Sequence, residues 1–252
     1  MTLLITGGAS GIGAATARLA AERGHKIAIN YRSRDAQAKK VVAAITAGGG
    51  TAVALPADVS READIVNLFD AAEKALGPIT HLVNSAGIGL NSRVADYDAT
   101  ALERLFTVNT IGLMLCCREA ARRMSTRRGG KGGVVVNVSS MAGTIGGRPG
   151  ASAYAASKAA VDSFTMGFAK DVALEGIRAV SLRPGMIETE MTEKTLSDRE
   201  TREAIESTIA MGRVGQAQEI ANAIVWLLSD EASFISGVTL DASGGGFVFG
   251  KR

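Results

Sequence analysis

Tyr154 and Lys158, in the run Tyr154-Ala155-Ala156-Ser157-Lys158, are the residues whose types and spacing best suit proton transfer. If the segment is helical, a four-residue interval puts both side chains on one face, about one turn apart. A phenol with a reference pKa of about 10 is a poor base at neutral pH, but a neighbouring ammonium favours the phenolate. Such a pair would exchange a proton with a carbinol or a carbonyl. The same spacing also describes a solvated helix face, so its meaning depends on the elements that position it.

The first of those elements lies at the other end of the chain. Residues 2 to 6 read as a short buried strand and Ala14 to Arg23 as a helix, joined by Thr6-Gly7-Gly8-Ala9-Ser10-Gly11-Ile12-Gly13. Glycines in such a turn let a pyrophosphate approach the backbone, and the helix N-terminus offers it free N–H groups. The pattern is Thr-Gly-x-x-x-Gly-x-Gly, which differs in spacing from the dinucleotide fingerprint Gly-x-Gly-x-x-Gly. Together with Tyr154 and Lys158 it resembles the short-chain dehydrogenase/reductase family, over essentially the whole chain. The overall pattern is similar to bacterial sugar dehydrogenases and 3-oxoacyl-thioester reductases.

The resemblance implies one α/β domain over residues 1–252, a doubly wound Rossmann-type parallel sheet of seven strands with helices on both faces. It also implies hydride transfer between a nicotinamide cofactor and a secondary alcohol or carbonyl. In that reading Tyr154 exchanges the proton, Lys158 lowers the phenol's pKa and bonds the cofactor ribose, Ser140 fixes the substrate oxygen, and Asn109 orders a water relay. Ser139 stands beside Ser140 as a lesser candidate. Thr6, Gly7, Ser10, Gly11, Ile12 and Gly13 form the pyrophosphate turn. Asp58 and Val59 are placed at the adenine, with a helix N-cap as the alternative role for Asp58 or Ser60. Asn84, Ala86 and Gly87 form the turn beside the nicotinamide ribose, where Ser85 replaces the family's usual second asparagine. Pro184, Gly185, Ile187 and Thr189 border the nicotinamide, and residues 188 to 212 read as a substrate lid. Glu188 and Glu190 read as part of its solvated surface rather than as an acid/base pair.

The second strand, Lys26 to Tyr31, bears on cofactor choice. An acidic residue at its end would bond a ribose 2′-hydroxyl and repel a 2′-phosphate. Here Tyr31, Arg32, Ser33 and Arg34 follow, and guanidinium groups with a hydroxyl suit a phosphate dianion. NADP(H) is therefore the expected preference, with NAD(H) as the alternative.

Composition sets the remaining bounds. A chain of 252 residues with 30 glycines, 4 prolines and 4% aromatics suits a closely packed single α/β domain filled by aliphatic side chains. A net charge of +3 is too small to argue for nucleic acid. The basic run Arg118, Arg122, Arg123, Arg127, Arg128 and Lys131 ends a helix expected over 99–128 and reads as a wet face. Cys116 and Cys117 are adjacent and read as free thiols in a reducing compartment. No ligand spacing supports a metal, and His25 and His81 precede or enter strands and read as structural. No apolar stretch reaches membrane-spanning length, so a soluble cytoplasmic protein is expected. The family resemblance implies a homodimer or homotetramer through the two long helices; Ala155, Ala156, Ala159 and Ala160 would allow the close helix approach, and suit internal packing equally. The alternative to an enzyme is a non-catalytic NADP(H)-sensing protein on the same fold, which would be expected to lose Tyr154 or Lys158; both are present.

Overall fold

The computed structural model describes residues 1–246. Seven strands, β1 (Thr2–Thr6), β2 (Lys26–Tyr31), β3 (Ala52–Pro56), β4 (Ile79–Asn84), β5 (Gly133–Val138), β6 (Ile177–Pro184) and β9 (Thr239–Ala242), form one sheet. Every pairing in it is parallel, in the order β3-β2-β1-β4-β5-β6-β9. The expected doubly wound architecture is borne out. The direction of winding reverses between β1 and β4, the place where such sheets open a crevice beyond their carboxyl ends.

Alternation along the strands explains why both sheet faces are covered, since successive side chains point to opposite sides. Leu4, Ala28, Leu82, Val135 and Ala179 enter one core, with Phe69 of α3 (Glu62–Leu76), Cys117 of α5 (Gly112–Met124) and Val161 of α7 (Ser152–Val172). Leu3, Ile5, Ile29, Val83, Val136 and Leu182 enter the other, with Ala17 of α1 (Gly11–Glu22), Val41 of α2 (Asp35–Ala47) and Ile224 of α10 (Ala217–Leu228). The turn before α1 lies close on β2: a Cβ on Gly8 would lie 2.6 Å from the Ile29 side chain.

Several boundaries differ from the sequence expectation. The long helix over 99–128 is three pieces: α4 (Ala99–Phe106), a π turn (Thr107–Ile111) and α5, with a 3-10 turn at Thr126–Arg128. The loop after β5 contains the short α6 (Ala142–Ile145), and α7 begins two residues before Tyr154. The cap of α3 is Arg61; Asp58 instead accepts the Ser60 N–H at 3.0 Å, so neither Asp58 nor Ser60 is the N-cap. The segment 188–212 carries α8 (Glu193–Leu196) and α9 (Arg199–Glu206) and has its own small core of Leu196, Ile205, Ile209 and Val214. The short strands β7 (Ile187–Glu188) and β8 (Gly215–Gln216) pair to tie its two ends together. Among the described residues, no helix is long and apolar enough to cross a membrane.

His25 and His81 meet edge to face at 5.1 Å, away from the carboxyl ends of the strands. The His81 Nε2–H donates to the Leu228 carbonyl at 3.3 Å and Nδ1 accepts from the Thr80 hydroxyl at 2.8 Å, so the neutral ring satisfies both neighbours. Burial, followed by repulsion from His25, pulls the His81 pKa down to about 4, with the amino terminus and Arg178 adding to it. The unfolded chain, with an ordinary pKa near 6.5, therefore binds the proton first. Stability should be full above pH 6.5 and fall as the pH drops from there toward 4, by up to about 3 kcal/mol from this group. Urea unfolding at pH 7.5 and 4.5 should show a smaller acid loss for His81→Asn than for the wild type; equal losses would refute the assignment.

Candidate active site

A cleft of about 380 Å³ opens beyond the carboxyl ends of β1, β2, β4, β5 and β6. The glycine turn forms its floor. Gly7 has φ +68°, and a Cβ there would lie 2.8 Å from Ala86 Cα, so the turn packs backbone to backbone on the turn after β4. Thr6 stands behind the wall and accepts the Ala86 N–H on its hydroxyl at 3.2 Å. Gly13 is equally hidden, its α-carbon facing the Gly7 carbonyl too closely for any side chain. Gly7, Ser10, Gly11 and Ile12 line the cleft, with Gly11 at φ +51°. The Ser10 side chain does not cap α1, and no acidic residue lies in its first turn. A helix N-terminus left in this condition beside a glycine cradle fits a pyrophosphate.

Asn30 was not evident as a site residue, yet it stitches three segments of this floor. Its Oδ1 accepts the Gly7 N–H at 3.3 Å, and its Nδ2 donates to the Ala57 carbonyl at 3.0 Å. The signal in the sequence was one asparagine in the otherwise apolar strand Lys26–Tyr31. Beyond it, Tyr31, Arg32, Ser33 and Arg34 line the far end of the cleft. Among the described residues no salt bridge engages Arg32 or Arg34. The Tyr31 hydroxyl donates to Asp35 at 2.7 Å, and Asp35 pairs with Lys39.

Asp58 and Val59 line the same end, joined by Arg104 from α4, a second residue the sequence did not single out. Arg104 Nη2 lies 2.9 Å from Asp58 Oδ2. Burial works against the charge of Asp58, but the Ser60 N–H and hydroxyl and the Arg104 guanidinium together hold its pKa at about 2. The carboxylate is therefore fixed and ionised at working pH.

The chemical end of the cleft is built by β4, β5, the π turn and α7. Lys158 is buried, and its Nζ donates to the Val138 carbonyl at 2.8 Å. Burial lowers the Lys158 pKa to about 8, with Asp162 opposing the fall. Tyr154 is half-buried and lines the cleft with Ser140. Burial pushes its phenol above the ordinary value, and the Ser140 hydroxyl pulls the other way. The expected lowering by Lys158 is thus not met by the protein's own groups, because burial of the phenol itself outweighs what lowers it. Both serines border the cleft, but they are not equivalent. Ser139 Oγ is buried and donates to the Lys158 carbonyl at 3.0 Å, whereas Ser140 Oγ accepts the N–H of Ala142 and also engages the Tyr154 phenol.

Asn109 sits behind the wall on the π turn, where the helix is widened by one residue per turn. Its Oδ1 accepts the Ile88 N–H at 2.8 Å, and its Nδ2 donates to the Ile88 carbonyl at 2.9 Å and to Ser157 Oγ at 3.1 Å. The side chain therefore clamps the loop after β4 to α7. Gly87 lies against both side chains, a Cβ there falling 3.4 Å from Asn109 Oδ1 and 3.5 Å from Lys158 Nζ. Ala86 and Gly87 line the cleft, but Asn84 does not: it is buried and donates to Asn137 Oδ1 at 2.9 Å. Its part is to join β4 to β5 beneath the site.

Alanine at the N-cap of α7 offers no side-chain cap, and Tyr97 supplies one from the loop after β4. Its hydroxyl accepts the N–H of Ala153, the residue before Tyr154, at 3.1 Å and lies 2.6 Å from Ser152 Oγ. On the opposite wall, Pro184, Gly185, Ile187 and Thr189 line the cleft. The Ile187 carbonyl accepts the Thr192 hydroxyl at 2.6 Å, which folds the start of the lid back on itself. Glu188 bonds Arg202 and Gln216 on the outside, in keeping with a surface role.

The basic run on α5 differs from expectation. Arg118, Arg122 and Arg123 converge on the buried Glu119, and Arg123 also lies 5.2 Å over the Phe69 ring. Arg122 nevertheless stays exposed, as do Arg127, Arg128 and Lys131 beyond it. Cys116 and Cys117 are free and buried, and burial pushes the Cys117 thiol up to about 12. Among the described residues there is no group of three His, Cys, Asp or Glu side chains placed to hold a metal.

A family model described as Enoyl-(Acyl carrier protein) reductase matches residues 7–246. The chain is 44% identical over 243 residues to the uncharacterized oxidoreductase YgfF of Escherichia coli K12, covering 96% of this chain and 98% of that one. It is 38% identical to 3beta-hydroxysteroid dehydrogenase 1 of Eggerthella lenta, covering 99% and 97%. The crystal structure of a dehydrogenase/reductase from Sinorhizobium meliloti 1021 superposes with a TM-score of 0.90 at 33% identity, covering 97% of this chain and 94% of that one. With the glycine turn, the tyrosine and the lysine gathered on one cleft, the chain belongs to the short-chain dehydrogenase/reductase family of NAD(P)-dependent oxidoreductases.

Proposed function

We propose that the protein interconverts a secondary alcohol and a carbonyl with NADP(H) as preferred cofactor and NAD(H) as the alternative. The observation that carries the reading is the meeting of Tyr154, Ser140 and Lys158 on the cleft whose floor is the glycine turn. When bound, the nicotinamide supplies or accepts a hydride at C4.

The chain's own groups do the rest. Gly7, Ser10, Gly11 and Ile12 with the α1 N-terminus hold the pyrophosphate, backed by Thr6 and Gly13. Asp58 and Val59 face the adenine, and Asp58 is held ionised for an amino group by Arg104. Tyr31, Arg32 and Ser33 receive the 2′-phosphate; arginines without carboxylate partners retain their full charge for it. Ala86 and Gly87 border the nicotinamide ribose, with Asn84 bracing their turn from below. Pro184, Gly185, Ile187 and Thr189 border the nicotinamide. Ser140 donates to the substrate oxygen and Tyr154 exchanges its proton with that oxygen. The upward shift of the phenol keeps Tyr154 protonated, the form that gives a proton to a carbonyl oxygen. In the alcohol-oxidising direction, added positive charge beside the phenol is required to make it a base. Lys158 bonds the ribose and relays charge, while Asn109 holds the loop through which the relay passes.

The same reading places the protein in the cytoplasm as a homo-oligomer. Ala156 and Met166 are exposed on α7 and Ile111 on the π turn, which supports the two long helices as the contact. A non-catalytic sensor is not favoured by any observation, since the proton-transfer pair is intact.

A panel of carbonyl and alcohol substrates followed at the nicotinamide absorbance should identify turnover, and Tyr154→Phe should lower it at least about 100-fold with the fold unchanged by circular dichroism. Near wild-type turnover would remove Tyr154 as the acid. Fluorescence titration of Arg32→Ala should reduce the ratio of NADPH to NADH affinity about tenfold, through lost charge-assisted bonding. If the ratio is unchanged, Arg32 does not read the phosphate.

A further inference from the structure

Lys158 poses an electrostatic problem that its direct contact does not solve. The ammonium is 5% exposed and its hydrogen-bond partner, the Val138 carbonyl, is neutral. A buried ammonium without nearby negative charge loses its proton readily. One turn further along α7, on the same face, stands Asp162, which is 4% exposed.

The strand register brings the two together. Val138, at the end of β5, is opposite Leu182 in β6. The residues flanking Leu182 are the ones that hold the carboxylate: Ser181 Oγ donates to Asp162 Oδ1 at 2.6 Å, and Arg183 Nε lies 2.7 Å from Oδ2. Lys158 and Asp162 are therefore moored to adjacent strands at the same level of the sheet. Arg183 divides its charge, since its Nη1 also reaches Asp241 on β9 at 3.2 Å. It directly precedes Pro184 and Gly185 of the cleft wall.

We propose that Asp162 is a positioning residue that keeps the Lys158 ammonium charged beside the cleft, and that Arg183 sets how much of the carboxylate's charge the lysine feels. The inference rests on the reading of Tyr154 and Lys158 as the proton-transfer pair. The charged and titratable groups around Lys158 are Tyr154 and Asp162 on α7, Arg183 on β6 and, through Arg183, Asp241 on β9. The π turn and β5 contribute only neutral groups, Asn109 and Ser139. Burial acts downward on Lys158 and Asp162 acts upward, so the two substitutions should act in opposite senses.

The test is the titration of Lys158 itself, followed in the full chain by the ¹³Cε resonance of isotope-labelled lysine, with Lys158 assigned from its loss in Lys158→Met. Asp162→Asn should lower the titration midpoint by about one pH unit, and Arg183→Gln should raise it by about half a unit. A role in packing alone moves neither midpoint in a charge-dependent sense. An unchanged midpoint in both variants, or shifts of the same sign, would overturn the proposal. Should Asp162→Asn fail to fold, the Arg183→Gln midpoint decides: an upward shift supports the proposal, and no shift overturns it. Because the titration needs no substrate, its failure is separate from that of the proton-transfer reading, which stands or falls on the turnover of Tyr154→Phe.

Discussion

The constraint on which the site depends is that a lysine ammonium must be kept inside the protein, within reach of a tyrosine, without collapsing to the neutral amine. Burial, with Asp162 opposing it, brings the Lys158 pKa to about 8, near the working range but still above neutrality. Most of the surrounding architecture follows from that requirement. The β5 carbonyl at Val138 gives the ammonium a fixed direction, Gly87 leaves room for it, and Asn109 and Ser139 hold the two backbones between which it extends. A substitution at any of these moves the charge rather than merely loosening the core.

The same economy governs the glycine turn. A Cβ at Gly7 would meet the Ala86 backbone, so the floor of the cleft and the turn beside Lys158 are in direct backbone contact. Thr6 and Asn30 reinforce that contact from below. The anion-binding end and the proton-transfer end are consequently one rigid unit, and the switch point of the sheet is where they join. Rigidity at this join is what catalysis by positioning requires, because a reacting pair held at near-contact distance loses rate steeply when its frame shifts.

How much of this was legible in the sequence divides along the range of the interactions. The strands are aliphatic runs bounded by turns, and the glycine pattern and the Tyr154–Lys158 interval are local, so the elements could be read from the residues, while the winding of the sheet and most site roles came through the family resemblance those motifs carry. Propensity gives no sign of the π turn that interrupts the 99–128 helix, since nothing in Thr107-Val108-Asn109 breaks a helix. What escaped was nonlocal. Asn30 gains its meaning from Gly7 and Ala57, Arg104 from Asp58 46 residues away, and Tyr97 from Ala153 56 residues away. The arginines of α5 likewise read as surface because Glu119 offers no sign, in one dimension, that it is buried among them.

The phenol illustrates why residue type and interval do not fix chemistry. An ammonium one turn away favours phenolate only to the extent that its charge is available, and burial diminishes the charge of the donor while raising the pKa of the acceptor. The pair is therefore biased toward the acid form until further positive charge enters the cleft. Substrate selection is free to vary around this bias. The loop after β4 and the loop after β5 meet through the Ser92 N–H and the Gly150 carbonyl at 2.9 Å, outside the buried frame, and Tyr97 is their link to the first turn of α7. Changes at the loop tips can reshape the entrance while Lys158, Asn109 and the glycine turn keep their geometry. A change at Tyr97 acts differently, because it frees the helix end from which Tyr154 projects.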